Sequence, residues 1–354
     1  MSNHDKISDL YNKFKDNKGT WEDYSNFLKI NNNNLENFFN ITQKLKRENF
    51  GNTIRVYIPS KRFPPISITG NECELHCEHC NEKYLSGMTH IINNKELEDF
   101  LMQHYKKGGI GALISGGCLQ DGSVPLLKFL DTIKKVKAKT NLIINTHTGL
   151  LNEETAKKLA EANVDIISFD VNMDSEVIKN IYHLNKDLRD YKETFNLLKI
   201  NNLNIVPHIC VGLHYGEIHK ELDSLKFIKE SGMDPSLIVL IALIPPKNTQ
   251  IEFKTPNQYD IAKIITLIRI IFPKTEISLG CMRPRGKIRE EIEKYAIKAG
   301  ITRIEIPLKR TYKWILKQYP KIDIKFFSAC CSIPKESEKR AIMTKSDLKR
   351  YLGS

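Results

Sequence analysis

The sequence predicts an α/β chain, a (β/α)8 barrel of the TIM type behind an N-terminal helical extension. Three observations carry that expectation. From Pro64 onward, short runs rich in Ile, Val and Leu recur, each followed by a segment whose apolar residues fall three or four apart. The runs are continuously apolar rather than alternating, as in strands buried on both faces of a parallel sheet. Eight such units fit in 354 residues, within the usual range for one barrel. A doubly wound open sheet is the alternative, since a count of βα units does not show closure.

Taken in order, residues 1–60 read as helical extension. DLYNKFKDN, TWEDYSNFLKI and NLENFFNITQKLKREN each show helical spacing, and NNNN at 31–34 is a turn signal. The strand candidates are 66–69, 111–115, 141–146, 164–171, 203–212, 237–243, 276–280 and 301–307. Amphipathic stretches such as NKELEDFLMQHYKK, NEETAKKLAEA and IREEIEKYAIKAG separate them. The barrel is assigned to residues 61–335. The charged stretch 336–354 is left as a tail, either a peripheral helix or a mobile end.

Composition narrows the class. Hydrophobic residues make up 41% and charged residues 27%, a balance that supports a sizeable core. No run of eighteen apolar residues occurs and the polar start lacks a signal-peptide pattern, so a cytoplasmic protein with no membrane partner is expected. In a reducing compartment the eight cysteines point to metal or catalysis more than to disulfides. The net charge of +12 comes from dispersed Lys and Arg, without a basic arm or nucleic-acid module. Such a charge suits an acidic protein partner as well as nucleic acid, and without such a module nucleic acid is not expected.

The strongest chemical signal is NECELHCEHCNEKYL, residues 71–85, with cysteines spaced Cys73-x3-Cys77-x2-Cys80 directly after the first strand candidate. Loops at strand C-termini build barrel active sites. Ordinary electron-transfer clusters take four cysteine ligands. Three thiolates would leave one iron of a 4Fe–4S cluster open to a small molecule. A zinc site completed by His76 or His79 is the alternative.

This loop, in this strand context, resembles the signature of radical S-adenosylmethionine (SAM) enzymes. The resemblance implies that SAM chelates the open iron, that reduction cleaves it, and that the resulting 5′-deoxyadenosyl radical takes a hydrogen atom from substrate. It implies a low-potential electron donor of the ferredoxin or flavodoxin type. His79 stands where relatives usually place an aromatic near the adenine. In SGGC, Ser115, Gly116 and Gly117 match the glycine turn beside the SAM amino group. In SFDV, Ser168 and Asp170 are candidates for ribose hydroxyls or a substrate polar group. In GLHYGE, Gly212 and Glu217 match the ribose-side segment, and residues 243–249 match the adenine-side loop.

Cys118, Cys210, Cys281, Cys330 and Cys331 remain. Cys118, Cys210 and Cys281 fall at strand C-terminal ends. An auxiliary iron–sulfur cluster on Cys281, Cys330 and Cys331, with Cys118 or Cys210 as further candidates, is one reading; small buried cysteines are the other. The segments SITGNECELHCEHCNEKYLSGM, SGGCLQDGSVPL, NTHTGLL, SFDVNMD, VPHICVGLHYGE, SLGCMRPRG and the late CC are most similar to biotin-synthase-like proteins that act as a two-component lipoyl synthase. Residues 1–72 contain no cysteine, so the N-terminal triad of ordinary lipoyl synthase is absent. The resemblance implies sulfur insertion into an octanoyl chain on a carrier-protein lysine, with a second radical SAM protein as partner. Other biotin-synthase-like chemistry, in cofactor biosynthesis or metallocofactor maturation, stays open, as does a non-catalytic iron–sulfur protein.

Among the other polar residues, His147 and Asp170 are catalytic candidates; a hydrogen-bonded structural role would suit either. Arg283 and Arg285 are substrate-binding candidates, because guanidinium donates in a fork, although ion pairs at a barrel end would also explain them. Tyr84 and Met88 read as packing residues.

Overall fold

The computed structural model describes residues 3–80, 82–247, 249 and 251–352. Residues 1–2 and 353–354, at the ends of the expected extension and tail, lie outside them, as does Asn248 of the expected adenine-side loop. The chain opens with α1 (Asn3–Lys15), α2 (Trp21–Leu28) and α3 (Leu35–Phe50), then β1 (Thr53–Tyr57), β2 (Pro65–Ser67) and β3 (Thr89–His90). The central run is α4 (Asn94–Lys106), β4 (Gly111–Ser115), α5 (Leu130–Lys139), β5 (Ile143–His147), α6 (Glu153–Glu161), β6 (Ile166–Asp170), α7 (Leu188–Ile200) and β7 (Ile205–Val211). There follow α8 (Glu221–Glu230), β8 (Leu237–Ala242), α9 (Gln258–Ile271), β9 (Glu276–Leu279), α10 (Ile288–Ala299) and β10 (Arg303–Glu305). The chain ends with α11 (Lys309–Gln318), β11 (Asp323–Phe327), α12 (Glu338–Ala341) and α13 (Lys345–Leu352). All eight strand candidates form strands, and the parallel βα alternation makes this the expected α/β class.

The extension is not wholly helical. Residues 53–57 form β1, because TIRVY is rich in β-branched and aromatic residues and buries Ile54, Val56 and Tyr57. The tail likewise contains α12 and α13.

The chain divides into two compact units. One comprises Tyr57–His208, Pro246–Glu252 and Phe326–Ser354, and it holds the cysteine loop. Its strands run β3–β2–β4–β5–β6 to the first half of β7, each parallel to its neighbour. The register sets Ser67 beside Ser115, His147 beside Ser168 and Asp170 beside His208. Polar residues therefore meet at one rim while Ile66, Ile114, Ile144 and Ile167 fill the interior. Side-chain caps fix where the helices start: Asn93 accepts from the Glu96 N–H before α4, Asn152 from the Thr155 N–H before α6. Asp187 and Asp190 form a reciprocal box before α7.

The other unit comprises Met1–Val56, Ile209–Pro245 and Phe253–Lys325. Its centre is α9, largely apolar and buried along most of its length, Lys263 and Arg269 included. The cations on this helix are satisfied by backbone. Lys263 donates to the carbonyls of Leu28 and Ile30 at 3.0 Å, and Arg269 donates to those of Gly300, Pro273 and Thr275. At the strands, Glu276 takes both Arg55, at 2.6 Å, and Arg303.

Candidate metal and cofactor site

The loop after β2 is coiled by two residues in the left-handed region, His76 (φ 46) and Glu82 (φ 58), whose side chains pair at 2.6 Å. Short-range backbone bonds tighten it, Cys80 N–H to the Cys77 carbonyl and Lys83 N–H to the Cys80 carbonyl. The result turns Cys73, Cys77 and Cys80, all half-buried, toward one cavity of about 300 Å³.

Two neighbouring segments clamp the loop. On one side is the turn after β4. The Gly117 N–H donates to Thr69 Oγ1 at 2.8 Å, and Thr69 Oγ1 donates to the Glu72 carbonyl at 2.9 Å. The Cys118 N–H donates to Cys73 Sγ at 3.4 Å, and the Glu74 N–H to the Cys118 carbonyl at 2.8 Å. Only glycine fits at 117: a Cβ there would lie 2.0 Å from the Glu72 carbonyl oxygen and 2.6 Å from Cys73 Cβ. On the other side, a turn of π-helix (Val177–Ile181) ends against the loop. The Glu78 N–H donates to the Ile181 carbonyl, Cys77 Sγ lies 3.7 Å from the Tyr182 carbonyl, and His183 pairs with Glu78 at 2.9 Å. The Tyr182 ring rests 5.2 Å from the His79 ring.

Burial, with the neighbouring thiols Cys80, Cys118 and Cys73, pushes the Cys77 thiol well above its ordinary range. Burial likewise raises Cys80, and it takes Cys118 up to about 12. The apoprotein thus holds thiols, and a bound metal would convert the ligands to thiolates with release of protons. His79, brought down to about 4 by burial, is neutral at neutral pH; its Nδ1 is buried with no hydrogen-bond partner. Among the described residues, no three ligand atoms that include one of the loop sulfurs lie within 4.8 Å of one another. That spread does not draw the loop around a single tetrahedral ion, and His76 is engaged with Glu82. Three thiols on one cavity, a glycine-only turn and an orphaned imidazole nitrogen fit a cluster with a small-molecule ligand.

Beside the thiols, the candidates Ser115, Gly116, Gly117, His147, Ser168 and Asp170 line the same cavity. Asp170 is exposed, with Oδ2 3.9 Å from His147 Nδ1, and the His147 and His208 rings meet edge-on at 5.0 Å. Burial lowers the His147 imidazole, against the pull of Asp170. Ser168 Oγ is committed to Asn145 Oδ1 at 2.9 Å. Cys118 also lines this cavity, so the structure sets it with the loop thiols. Cys331 is buried and Cys330 half-buried, 3.5 Å from Ser332 Oγ; neither is among the cavity's lining residues.

The remaining candidates belong to the other unit. Gly212 (φ 83) donates its N–H to Glu221 at 2.8 Å. Glu217 is exposed and paired with Lys254 at 2.5 Å. Cys210 is half-buried, and Cys281 and Arg285 are exposed. Arg283 is fully enclosed: it pairs with Glu293 at 2.8 Å and donates to the carbonyls of Gly280, Glu305 and Ile306. Sequence reasoning did not find Thr69, Tyr182 or Tyr191. Thr69 carried no signal beyond its place at a strand end. The two tyrosines sit in IYHLNKDLRDYKE, where nothing in the spacing ties them to a loop a hundred residues earlier.

Residues 67–228 match the family model described as Radical SAM superfamily. The chain is similar to the biotin synthase of Buchnera aphidicola subsp. Acyrthosiphon pisum (strain APS), 24% identical over 333 residues, covering 88% of this chain and 92% of that one. It is 28% identical over 183 residues to the biotin synthase of Coxiella burnetii (strain RSA 493 / Nine Mile phase I), covering 51% and 54%. Among solved structures, the fold is similar to the FeFe-hydrogenase maturase HydG from Carboxydothermus hydrogenoformans (TM-score 0.64, 17% identity, 85% of this chain and 70% of that one). It is also similar to methylornithine synthase PylB (TM-score 0.60, 17% identity, 84% and 85%). The stretch that carries the cysteine loop thus matches the radical SAM superfamily model, and the chain is similar to biotin synthases over most of its length. No helix among the described residues is long and apolar enough to cross a membrane.

Proposed function

We propose that the chain is a radical SAM enzyme that inserts sulfur into a protein-bound octanoyl chain, the reaction of lipoyl synthesis. The observation that carries this reading is the meeting of Cys73, Cys77 and Cys80 with the Gly116–Gly117 turn on one cavity. Cys73, Cys77 and Cys80 would hold a 4Fe–4S cluster. Gly116, Gly117, Ser115 and His79 would receive SAM, His79 through its unpaired Nδ1. Bound there, the two would supply a radical able to take a hydrogen atom from an unactivated carbon.

The chain's own residues do the rest. Leu75, Leu85, Met88 and Phe169 give the cavity an apolar wall that suits an alkyl chain and keeps water from a reactive carbon. Leu150 is shared with a neighbouring cavity of about 660 Å³, lined also by Leu119, Val124, Leu151 and Lys128, which would admit an acylated lysine arm. His147 Nδ1, near Asp170, is the atom placed to hold or return a proton. Sulfur would come from an auxiliary iron–sulfur cluster. The partners are an octanoylated lipoyl carrier protein, a second radical SAM protein and a low-potential electron donor of the ferredoxin or flavodoxin type.

The test is anaerobic turnover with an octanoylated lipoyl-domain peptide, with and without a second radical SAM protein, read by mass. Thiolated peptide is expected, together with about eight irons per chain after reconstitution rather than about four. Formation of 5′-deoxyadenosine without thiolation in either mixture would remove the lipoyl reading and leave another biotin-synthase-like reaction.

A further inference from the structure

Four thiols, not three, face the cysteine-loop cavity. The fourth, Cys118, is fixed against the loop at two backbone points. Its N–H donates to Cys73 Sγ at 3.4 Å, and its carbonyl accepts from the Glu74 N–H at 2.8 Å. The preceding Gly117 makes that approach possible, because the position of its missing Cβ lies 2.6 Å from Cys73 Cβ. A cysteine held this way belongs to the loop's own site rather than to an auxiliary one.

We propose that Cys118 is an alternative fourth protein ligand, closing the iron that Cys73, Cys77 and Cys80 leave open when SAM is absent and yielding it when SAM binds. The inference rests on the radical SAM reading above. Four cysteines around a 4Fe–4S cluster is the ordinary closed arrangement of electron-transfer proteins, whereas an iron without a protein ligand is exposed to loss. On closing, an iron–sulfur bond forms and the Cys118 thiol gives its proton to solvent, as a coordinating thiol must. On opening, that bond breaks as the SAM amino and carboxylate groups take the iron, and the Cys118 sulfur recovers a proton. No electron is transferred in either direction.

The experiment uses the full chain, reconstituted anaerobically without SAM, as wild type, Cys118→Ala, Cys118→Ser and Cys77→Ala. Each is treated with limited ferricyanide, and the oxidised three-iron cluster is followed by electron paramagnetic resonance against time. Wild type is expected to form that signal several-fold more slowly than Cys118→Ala. Mössbauer spectra of the SAM-free proteins should show one distinct iron in Cys118→Ala and none in wild type. Cys118→Ser keeps the size and polarity of the side chain, and it should fall with Cys118→Ala if the sulfur is what protects. Equal conversion in wild type and both Cys118 variants, with one distinct iron in each, would overturn the proposal. Full iron retention in Cys77→Ala would instead overturn the radical SAM reading on which it stands.

Discussion

Around Glu293, buried polar groups are spent on one another. Its carboxylate takes Arg283 at 2.8 Å, Arg289 at 2.9 Å, the Leu308 N–H and the Thr311 hydroxyl, and Arg283 turns its other donors on carbonyls. Around Cys77 the pattern is reversed. Four half-buried thiols and the unpaired His79 Nδ1 face a cavity, and backbone bonds hold the loop from behind. The first arrangement resembles a closed account of charges, whose removal damages the fold. The second leaves its polar atoms to a ligand, so their removal damages chemistry and costs the apoprotein little.

Cys77→Ala is the most severe test of this contrast. Iron bound after reconstitution and 5′-deoxyadenosine formed under strong reductant should both fall to background, while the urea midpoint of the apoprotein stays near wild type. Glu293→Ala should do the opposite. Leaving Arg283 buried without its partner costs about 3–5 kcal/mol, read as a lower urea midpoint, while iron content of the folded fraction is retained. The Glu293 carboxyl also sets a pH limit. Burial alone would raise it, but Arg283 and the hydrogen bonds from Thr311 and Leu308 hold it below the ordinary value of 4.5. Its contribution is therefore complete above about pH 4.5 and is lost as pH falls through the lower folded value.

His208 gives a smaller and separable effect. Burial, helped by His147, takes its imidazole from 6.5 down to about 4, against the opposing influence of Asp170 and the Val206 carbonyl. A depressed histidine stabilises the fold above its unfolded value near 6.5 and loses that contribution as pH falls toward 4. Between about pH 7 and about pH 5 the loss should be about 2 kcal/mol. Urea titrations at the two pH values should show His208→Gln with a correspondingly flatter dependence. An unchanged slope would mean that His208 is not held neutral by its surroundings.

How much of this was legible in the sequence follows from the range of the forces involved. Continuous apolar runs gave all eight strand candidates, because burial on two faces leaves a local mark. β1, β3 and β11 were missed: β3 is two residues long, and β11 alternates exposed with half-buried positions instead of running apolar. Cys73, Cys77 and Cys80 were plain from spacing alone. Thr69, Tyr182 and the membership of Cys118 in the same cavity were not, since each depends on a contact between segments far apart in the chain. Arg283 could not be told from Arg285 by sequence; only burial beside Glu293 separates them.

Thr69 offers the finest test, because it lies on the seam between fold and site. Its hydroxyl accepts from the Gly117 N–H and donates to the Glu72 carbonyl, joining the end of β2, the cysteine loop and the glycine turn through one atom. Thr69→Val keeps the branched shape and removes both bonds. Leaving the Gly117 N–H, in a residue with no room for a side chain, without an acceptor should cost about 1–2 kcal/mol. If that hydroxyl serves only the fold, the urea midpoint drops and SAM binding to the reconstituted protein is unchanged. If it positions the turn for the ligand, SAM affinity falls by more than the stability loss explains, and Thr69→Ser, which retains the hydroxyl, restores it. The second outcome is expected, because the turn it holds lies 2.6 Å from Cys73 Cβ at the position of the missing Gly117 side chain and has no slack to absorb a shift.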